Sequence, residues 1–202
     1  MPTRAKSKKP TNFTSYLGAI FIVSALWILA NLFGPVAKEE IRYQWRQTVY
    51  EDQAMSNYPC PETDFTIGIF QLGVCAKVIP NVDPFDSRLY QQALTQGVAH
   101  ARGTGMPGEG RNIFLFAHSS GNPLDAARYN SIFYLLYKLD SGDKIELFKD
   151  GRTYDYLVAS QQIVSPRDVQ YLQDTNEEIL TLMTCWPPGT TFKRLIVIAK
   201  PM

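Results

Sequence analysis

From Phe65 onward the chain is a succession of short runs of β type separated by glycine, proline and polar residues. The runs FTIGIF (65–70), VCAKVI (74–79) and IFLFA (113–117) are rich in β-branched and aromatic residues, which predicts strands. Further strands are expected at 144–149, 152–158, 179–184 and 193–200. Many short strands with one or two helices predict a mainly β domain that forms a closed or nearly closed barrel.

The segments that connect these runs predict turns, helices and a loop. Asp150 and Gly151 join two strands, and this dipeptide accepts the positive φ values of a tight hairpin. A helix is expected from Asp86 to about Thr95, capped by an aspartate or serine, and a second short helix over Ala126–Leu136. The stretch from Gly97 to the strand that begins at Ile113 is expected to be a long loop.

An uncharged apolar run, Tyr16–Phe33, stands far upstream of the strands. It is close to the roughly 20 residues that a membrane-spanning helix requires. The tail before it is basic and the first acidic residue is Glu39; the basic residues are Arg4, Lys6, Lys8 and Lys9. The positive-inside bias therefore predicts a cytoplasmic N-terminus and an extracytoplasmic domain.

Two alternatives to a membrane anchor remain for this run. A cleaved signal peptide has the same charge pattern but a shorter apolar core, and GPVAKEE, which follows the run, is a poor cleavage site. A buried core helix is the other alternative. The favoured organisation is a basic cytoplasmic tail at 1–15, a transmembrane signal anchor at 16–33, a helical stalk at 34–60 and an extracytoplasmic domain at 61–202.

The charge and the cysteine content narrow the range of possible functions. The net charge is +1, from 20 basic and 19 acidic residues, so no nucleic-acid partner is expected. The cysteines, Cys60, Cys75 and Cys185, are odd in number, so at least one is unpaired within the chain. Cys60 and Cys75 can be bridged only if their Cα atoms lie within about 7 Å, which the sequence leaves open.

Cys185 is the candidate nucleophile because of its place in the predicted strands. It ends the penultimate predicted strand and Arg194 begins the last one, so antiparallel pairing would bring a thiol and a guanidinium together. Arginine favours the thiolate and offers donors to an oxyanion. Such a nucleophile needs a proton acceptor, and His118, at the end of IFLFA, is favoured over His100, which falls in the expected loop.

The ordered combination resembles a known family. The sequence TLMTC (181–185), followed nine residues later by Arg194, is similar to the TLxTC signature of sortases with its arginine on the next strand. GVAHARGTGMPGEGRNIFLFAHSS (97–120) and TIGIFQLGVCAKVI (66–79) also resemble sortase segments, so the likeness covers most of 65–200. It implies an eight-stranded sortase β-barrel with Cys185 as nucleophile, His118 as general acid and base, and Arg194 as stabiliser of substrate and oxyanion.

The resemblance also implies partners and a reaction. A sortase cleaves a C-terminal sorting motif of secreted proteins through a thioacyl enzyme and transfers the acyl group to a cell-wall or pilin amine, without a cofactor. Neither the histidines nor the cysteines have metal-ligand spacing. The alternatives are a thiol hydrolase of the same motif and a catalytically silent, membrane-tethered β-barrel that serves as a binding module. The expected location is the cell membrane, with a single pass.

Several features depart from the family pattern or mimic other motifs. Ala117 and Ser119 flank the histidine, where many sortases have glycine and arginine, and the chain ends at Met202 directly after the last strand, which suggests a single-anchor sortase without a C-terminal membrane helix. Asp83-Pro84-Phe85 resembles a pilin-type lid but is interpreted as a helix-entry turn. GTGMPG (103–108) matches a dinucleotide fingerprint, but it contains proline and precedes a strand, so it is rejected.

Overall fold

The computed structural model describes residues 13–49, 64–119 and 132–202. One helix, α1 (Phe13–Val49), precedes eight strands that form a closed barrel. The strands are β1 (Phe65–Ile69), β2 (Val74–Val82), β3 (Val98–Ala101), β4 (Asn112–Phe116), β5 (Lys144–Lys149), β6 (Arg152–Val164), β7 (Ile179–Trp186) and β8 (Lys193–Pro201). A short helix, α2 (Ser87–Leu94), connects β2 to β3. The predicted mainly β, eight-stranded barrel is confirmed.

Around the barrel the strand order is β1-β2-β3-β4-β7-β8-β6-β5. The pairs β2–β3 and β4–β7 are parallel, and the remaining pairs are antiparallel. The carboxyl ends of β4 and β7 therefore lie at the same end of the barrel as the start of β8. This end is called the upper rim, and the opposite end the lower rim.

Helix α1 contains both the predicted anchor and most of the predicted stalk without a break. Many of its apolar side chains are exposed, among them Ile20, Phe21 and Trp27. Within the described part of the chain, no helix combines the length and the apolar character that crossing a membrane requires. The connection from the stalk to β1 lies outside the described residues.

The hairpin between β5 and β6 forms as predicted. Asp150 has φ 50° and Gly151 has φ 75°, the left-handed values that this tight turn needs. Helix α2 is also confirmed, because the Asp86 carboxylate accepts hydrogen bonds from the backbone N–H of Arg88 and Leu89 at 3.0 and 3.2 Å. Asp83 Oδ1 accepts from Phe85 N at 2.9 Å, so the Asp83–Phe85 tripeptide is a helix-entry turn.

The expectation of a loop after Gly97 is wrong at its start, because residues 98–101 form β3, parallel to β2. A Cβ on Gly97 would lie 2.2 Å from the Lys77 carbonyl oxygen, so only glycine permits this approach of the two backbones. The sequence pattern does not predict this strand, because the strand is short and contains a histidine. Residues 126–131 of the helix predicted over 126–136 lie outside the described residues; residues 132–135 form turns and not an α-helix, and a 3₁₀ turn, Leu136–Lys138, begins at the last residue of the predicted range.

Candidate active site

The final hairpin brings Cys185 and Arg194 together. In the β7–β8 ladder these two residues are directly opposed, with Trp186 opposite Lys193 as the next pair. Opposed Cα atoms in such a ladder lie roughly 4.5 to 5.5 Å apart, and their side chains share a face of the sheet. The predicted juxtaposition of the thiol and the guanidinium is therefore present in the backbone register.

His118 reaches the same rim through the parallel pair β4–β7. Phe116 is opposite Met183, and extending this register by two residues brings His118 level with Cys185. The extension is held by two hydrogen bonds, from Ala117 N to Met183 O at 3.2 Å and from Thr184 Oγ1 to Ala117 O at 2.9 Å. All three predicted site residues thus lie at the upper rim: Cys185 is on β7, Arg194 is on β8, and His118 lies two residues beyond the end of β4.

The Arg194 guanidinium is anchored by its own loop. Its Nη1 donates to the carbonyl oxygens of Thr191 and Lys193, at 3.1 and 3.0 Å. Among the described residues these bonds occupy one guanidinium nitrogen, so Nη2 and Nε are available to a substrate oxygen. The loop that holds the arginine begins with a cis peptide bond between Trp186 and Pro187, directly after Cys185.

Cys185 carries a free thiol that is partly buried. Burial raises the pKa of this thiol above its ordinary value, and the charge of Arg194 opposes that shift only in part. The sequence predicts that the arginine charge favours the thiolate, whereas in the structure desolvation outweighs that charge. The thiol therefore holds its proton at neutral pH.

Of the described cysteines, Cys75 is not available as a free thiol. Cys75, in β2, is disulfide-bonded. Cys60, the partner considered in the sequence analysis, lies outside the described residues. Within the part of the chain that the structure describes, Cys185 is the free cysteine, which agrees with the expectation that at least one cysteine is unpaired within the chain.

His100, the rejected histidine, is a core residue. Its side chain is 2% exposed, its Nδ1 accepts from Asn81 N at 3.2 Å, and its Nε2 lies 2.9 Å from the Gly105 carbonyl oxygen. The carbonyl fixes the proton on Nε2, because a carbonyl oxygen only accepts. Burial lowers the pKa of His100, so the ring is neutral at physiological pH. His100 lies in strand β3, so the prediction that places it in a loop is wrong.

The glycine-rich loop has a structural role at the lower rim. The Glu178 carboxylate accepts from Gly108 N at 3.1 Å, from Gly110 N at 2.9 Å and from Tyr156 Oη at 2.7 Å. The loop then enters β4 rather than a helix, unlike a dinucleotide fingerprint. Across residues 13–49, 64–119 and 132–202, no group of three or more His, Cys, Asp or Glu side chains is placed to hold a metal ion.

The comparisons with known proteins agree with this geometry. Residues 67–202 match the family model described as "Sortase domain". The chain belongs to the sortase family. Sortase A of Listeria monocytogenes is 29% identical over 69 residues, which are 34% of this sortase and 31% of that protein. The match thus spans about a third of the length of this curated relative.

Solved sortase structures share the fold. Sortase C-1 from Actinomyces oris superposes with a TM-score of 0.59 at 24% identity, covering 83% of this sortase and 85% of that chain. A pilus-related sortase C of Group B Streptococcus gives a TM-score of 0.58 at 21% identity, covering 82% and 90%. At these identities the likeness establishes the barrel fold.

Residues outside the three strands, which the sequence does not predict, also contact this site. Tyr137, in the 3₁₀ turn Leu136–Lys138, has its ring centroid 5.5 Å from that of Trp186, next to Cys185. Glu40 of α1 contacts Tyr137 and Lys138. These residues carry no local pattern, because their contacts join segments far apart in the chain.

Proposed function

We propose that this sortase is a cysteine transpeptidase with Cys185 as nucleophile, His118 as general acid and base, and Arg194 as oxyanion stabiliser. The observation that carries the proposal is the register of β4, β7 and β8, which supports placing all three residues at one rim. A free thiol opposite a guanidinium and level with an imidazole offers the groups that acyl transfer through sulfur needs. Family membership supports the same chemistry.

Acylation is the first half-reaction. His118 takes the proton of the Cys185 thiol as sulfur attacks a peptide carbonyl carbon, and the carbonyl oxygen becomes an oxyanion that Arg194 stabilises. The C–N bond then breaks, and His118 returns the proton to the departing amine. The products are a thioacyl enzyme and the released C-terminal fragment. The raised pKa of Cys185 supports proton transfer during attack rather than a stored thiolate.

Deacylation is the second half-reaction. An acceptor amine attacks the thioester carbon and His118 removes a proton from the amine. The C–S bond then breaks and His118 passes that proton to sulfur, which leaves a new amide and the Cys185 thiol. The donor is a secreted protein with a C-terminal sorting signal, and the acceptor is an amine of a cell-wall precursor or of a pilin. The pilus-related sortase C among the structural neighbours makes the pilin amine a reasonable acceptor to assay beside the wall precursor.

A peptide library tests this function. The full chain is incubated with peptides of varied sorting motifs, with and without an added amine, and the products are analysed by mass spectrometry. A transpeptidase joins the amine to the N-terminal peptide fragment. Cleavage with water as the acceptor, unchanged by added amine, would favour the hydrolase alternative, and no cleavage of any peptide would favour the silent barrel.

Replacing Arg194 by lysine tests the role of its shape. A lysine keeps the charge but loses the planar fork that can follow a carbonyl into an oxyanion. We expect kcat to fall by about 10² to 10³, the effect of losing one oxyanion donor. Circular dichroism checks that folding is unchanged. Turnover close to wild type in Arg194→Lys would mean that charge alone suffices, and the same result in Arg194→Ala would remove Arg194 from the site.

We also propose that the catalytic domain faces the outside of the cell, attached to the membrane through the run Tyr16–Phe33. The support is the basic tail before an uncharged segment. Protease added to cells stripped of their wall should then digest the domain. A domain that stays protected until the membrane is lysed would contradict this topology, and release into the medium would point to a cleaved signal.

A further inference from the structure

A series of contacts connects α1 to Trp186, the residue that follows the proposed nucleophile Cys185. Glu40 of α1 uses both carboxylate oxygens: Oε1 accepts from Lys138 Nζ at 2.7 Å and Oε2 from Tyr137 Oη at 3.4 Å. Lys138 Nζ also lies 5.3 Å from the centroid of the Tyr137 ring. Tyr137 in turn packs against Trp186, with 57° between the ring planes. These four residues, Glu40, Tyr137, Lys138 and Trp186, are called the clamp.

The clamp is partly shielded from water. The side chain of Lys138 is 24% exposed and that of Glu40 is 35% exposed, whereas the ion pair between Lys200 and Glu177 at the lower rim has exposures of 59% and 72%. The hydrogen bond from Lys138 is the main cause that lowers the pKa of Glu40, so the carboxylate is charged at neutral pH. Shielding from solvent weakens salt screening of the Glu40–Lys138 pair.

The segment that carries Tyr137 contacts both sides of the site. At one end, Phe133 N donates to the His118 carbonyl oxygen at 3.2 Å. At the other end, the Tyr137 ring supports Trp186, which is bonded directly to Cys185. Residues 133–138 thus bridge the proposed base and the proposed nucleophile from outside the β4–β7 ladder. A shift of this segment would change the relation between the two reacting groups.

We propose that Glu40 and Tyr137 are positioning residues, through which the docking of α1 onto residues 133–138 sets the geometry of His118 relative to Cys185. The inference rests on the proposed function, because it assigns those two residues to catalysis. Displacing a reacting group by about 1 Å can cost about 10²-fold in rate, so a contact remote from the chemistry can control it. The α1 helix then serves as part of the active-site support as well as a tether.

The Glu40–Lys138 pair is tested by charge substitution in the full chain. Glu40→Gln should lower kcat by up to about fivefold with little change in KM, because a partly exposed ion pair contributes modestly and acts here on geometry rather than on binding. The matched control, Glu177→Gln, removes an ion pair at the lower rim and should leave kcat unchanged. The reversed pair, Glu40→Lys with Lys138→Glu, should restore part of the lost rate. Equal kcat in wild type and Glu40→Gln, or a loss that reversal does not reduce, would overturn the role of Glu40.

The Tyr137 contact has its own test. Tyr137→Leu should lower kcat by about tenfold, since an aromatic pair is lost, while Tyr137→Phe keeps the ring and should stay within about twofold of wild type. In a Trp27→Phe, Trp45→Phe background the emission of Trp186 should shift in Tyr137→Leu and not in Tyr137→Phe. If kcat and Trp186 emission are the same in Tyr137→Leu as in Tyr137→Phe, the role of the Tyr137 ring is contradicted.

One readout separates this inference from the proposed function. The rate at which iodoacetamide alkylates Cys185 needs no peptide substrate, and we expect it to change in Tyr137→Leu but not in Glu177→Gln. If no peptide is turned over by wild type while alkylation and Trp186 emission respond to Tyr137, the proposed function fails and the clamp stands. If turnover is normal and neither observable responds, the clamp fails and the function stands.

Discussion

Cys185→Ala should abolish both the thioacyl enzyme and turnover. Alanine offers no nucleophile, and the remaining groups cannot form a covalent bond to the substrate carbon. We expect kcat to fall by at least about 10⁴, as for the loss of a nucleophile in other covalent enzymes. The assay is the amine-dependent joining of a peptide substrate, measured by mass spectrometry.

The control for this variant is its fold. Cys185 lies at the end of β7 and is only partly buried, so alanine should leave the barrel and its thermal unfolding close to wild type. Substrate binding should persist, because the Arg194 side chain and its loop are unchanged. Product formation at the wild-type rate by a folded Cys185→Ala enzyme would refute the nucleophile assignment.

His118→Ala should lower turnover by about 10² to 10⁴, the usual contribution of general acid–base catalysis, while peptide binding is largely kept. The raised pKa of Cys185 makes this loss severe, because no other group of the proposed triad can remove the thiol proton. Arginine cannot act as a base. Added imidazole should restore part of the rate by taking the place of the missing ring.

His100→Gln is the matched control, since it changes the chain's other histidine. His100 is buried and bonded to Asn81 and Gly105, so its loss should lower thermal stability but leave the kcat of the folded enzyme unchanged. Catalytic loss in His100→Gln with normal turnover in His118→Ala would reverse the assignment of the two histidines.

The parts of the fold that the sequence predicted are those with local causes. The Asp150–Gly151 hairpin follows from two residues that accept positive φ, and the cap of α2 follows from the Asp86 carboxylate. The hairpin of the last two strands predicted the pairing of Cys185 with Arg194, because the turn residues between them fix where the ladder must begin. These features depend on neighbours in sequence.

The errors arise where tertiary pairing overrides local pattern. Strand β2 continues through Pro80 because Asn81, at φ 60°, accommodates an irregularity in its pairing with β3. Strand β6 extends past Val158 to Val164, although the added stretch begins with the weak strand formers ASQQ (159–162), because β8 pairs with it after a register shift. Only the partner strand makes these extensions favourable, so the sequence alone could not reveal them.

The candidate site divides in the same way. His118, Cys185 and Arg194 could be proposed from the sequence because each lies at one end of a predicted strand. The clamp could not, because Glu40 and Lys138 are 98 residues apart and neither belongs to a motif. The direction of the Cys185 pKa shift could not be predicted from the sequence either. The extent to which the thiol is buried decides whether desolvation raises the pKa more than the arginine charge lowers it.

Direct detection of the acyl enzyme tests the central claim. The full chain is mixed with a substrate peptide in the absence of acceptor amine, quenched in acid, and analysed by intact mass and by peptide mapping. The predicted result is an added acyl mass on the peptide that contains Cys185, removed when an acceptor amine is supplied. Turnover with no adduct at Cys185, or with the adduct on another residue, would contradict the account.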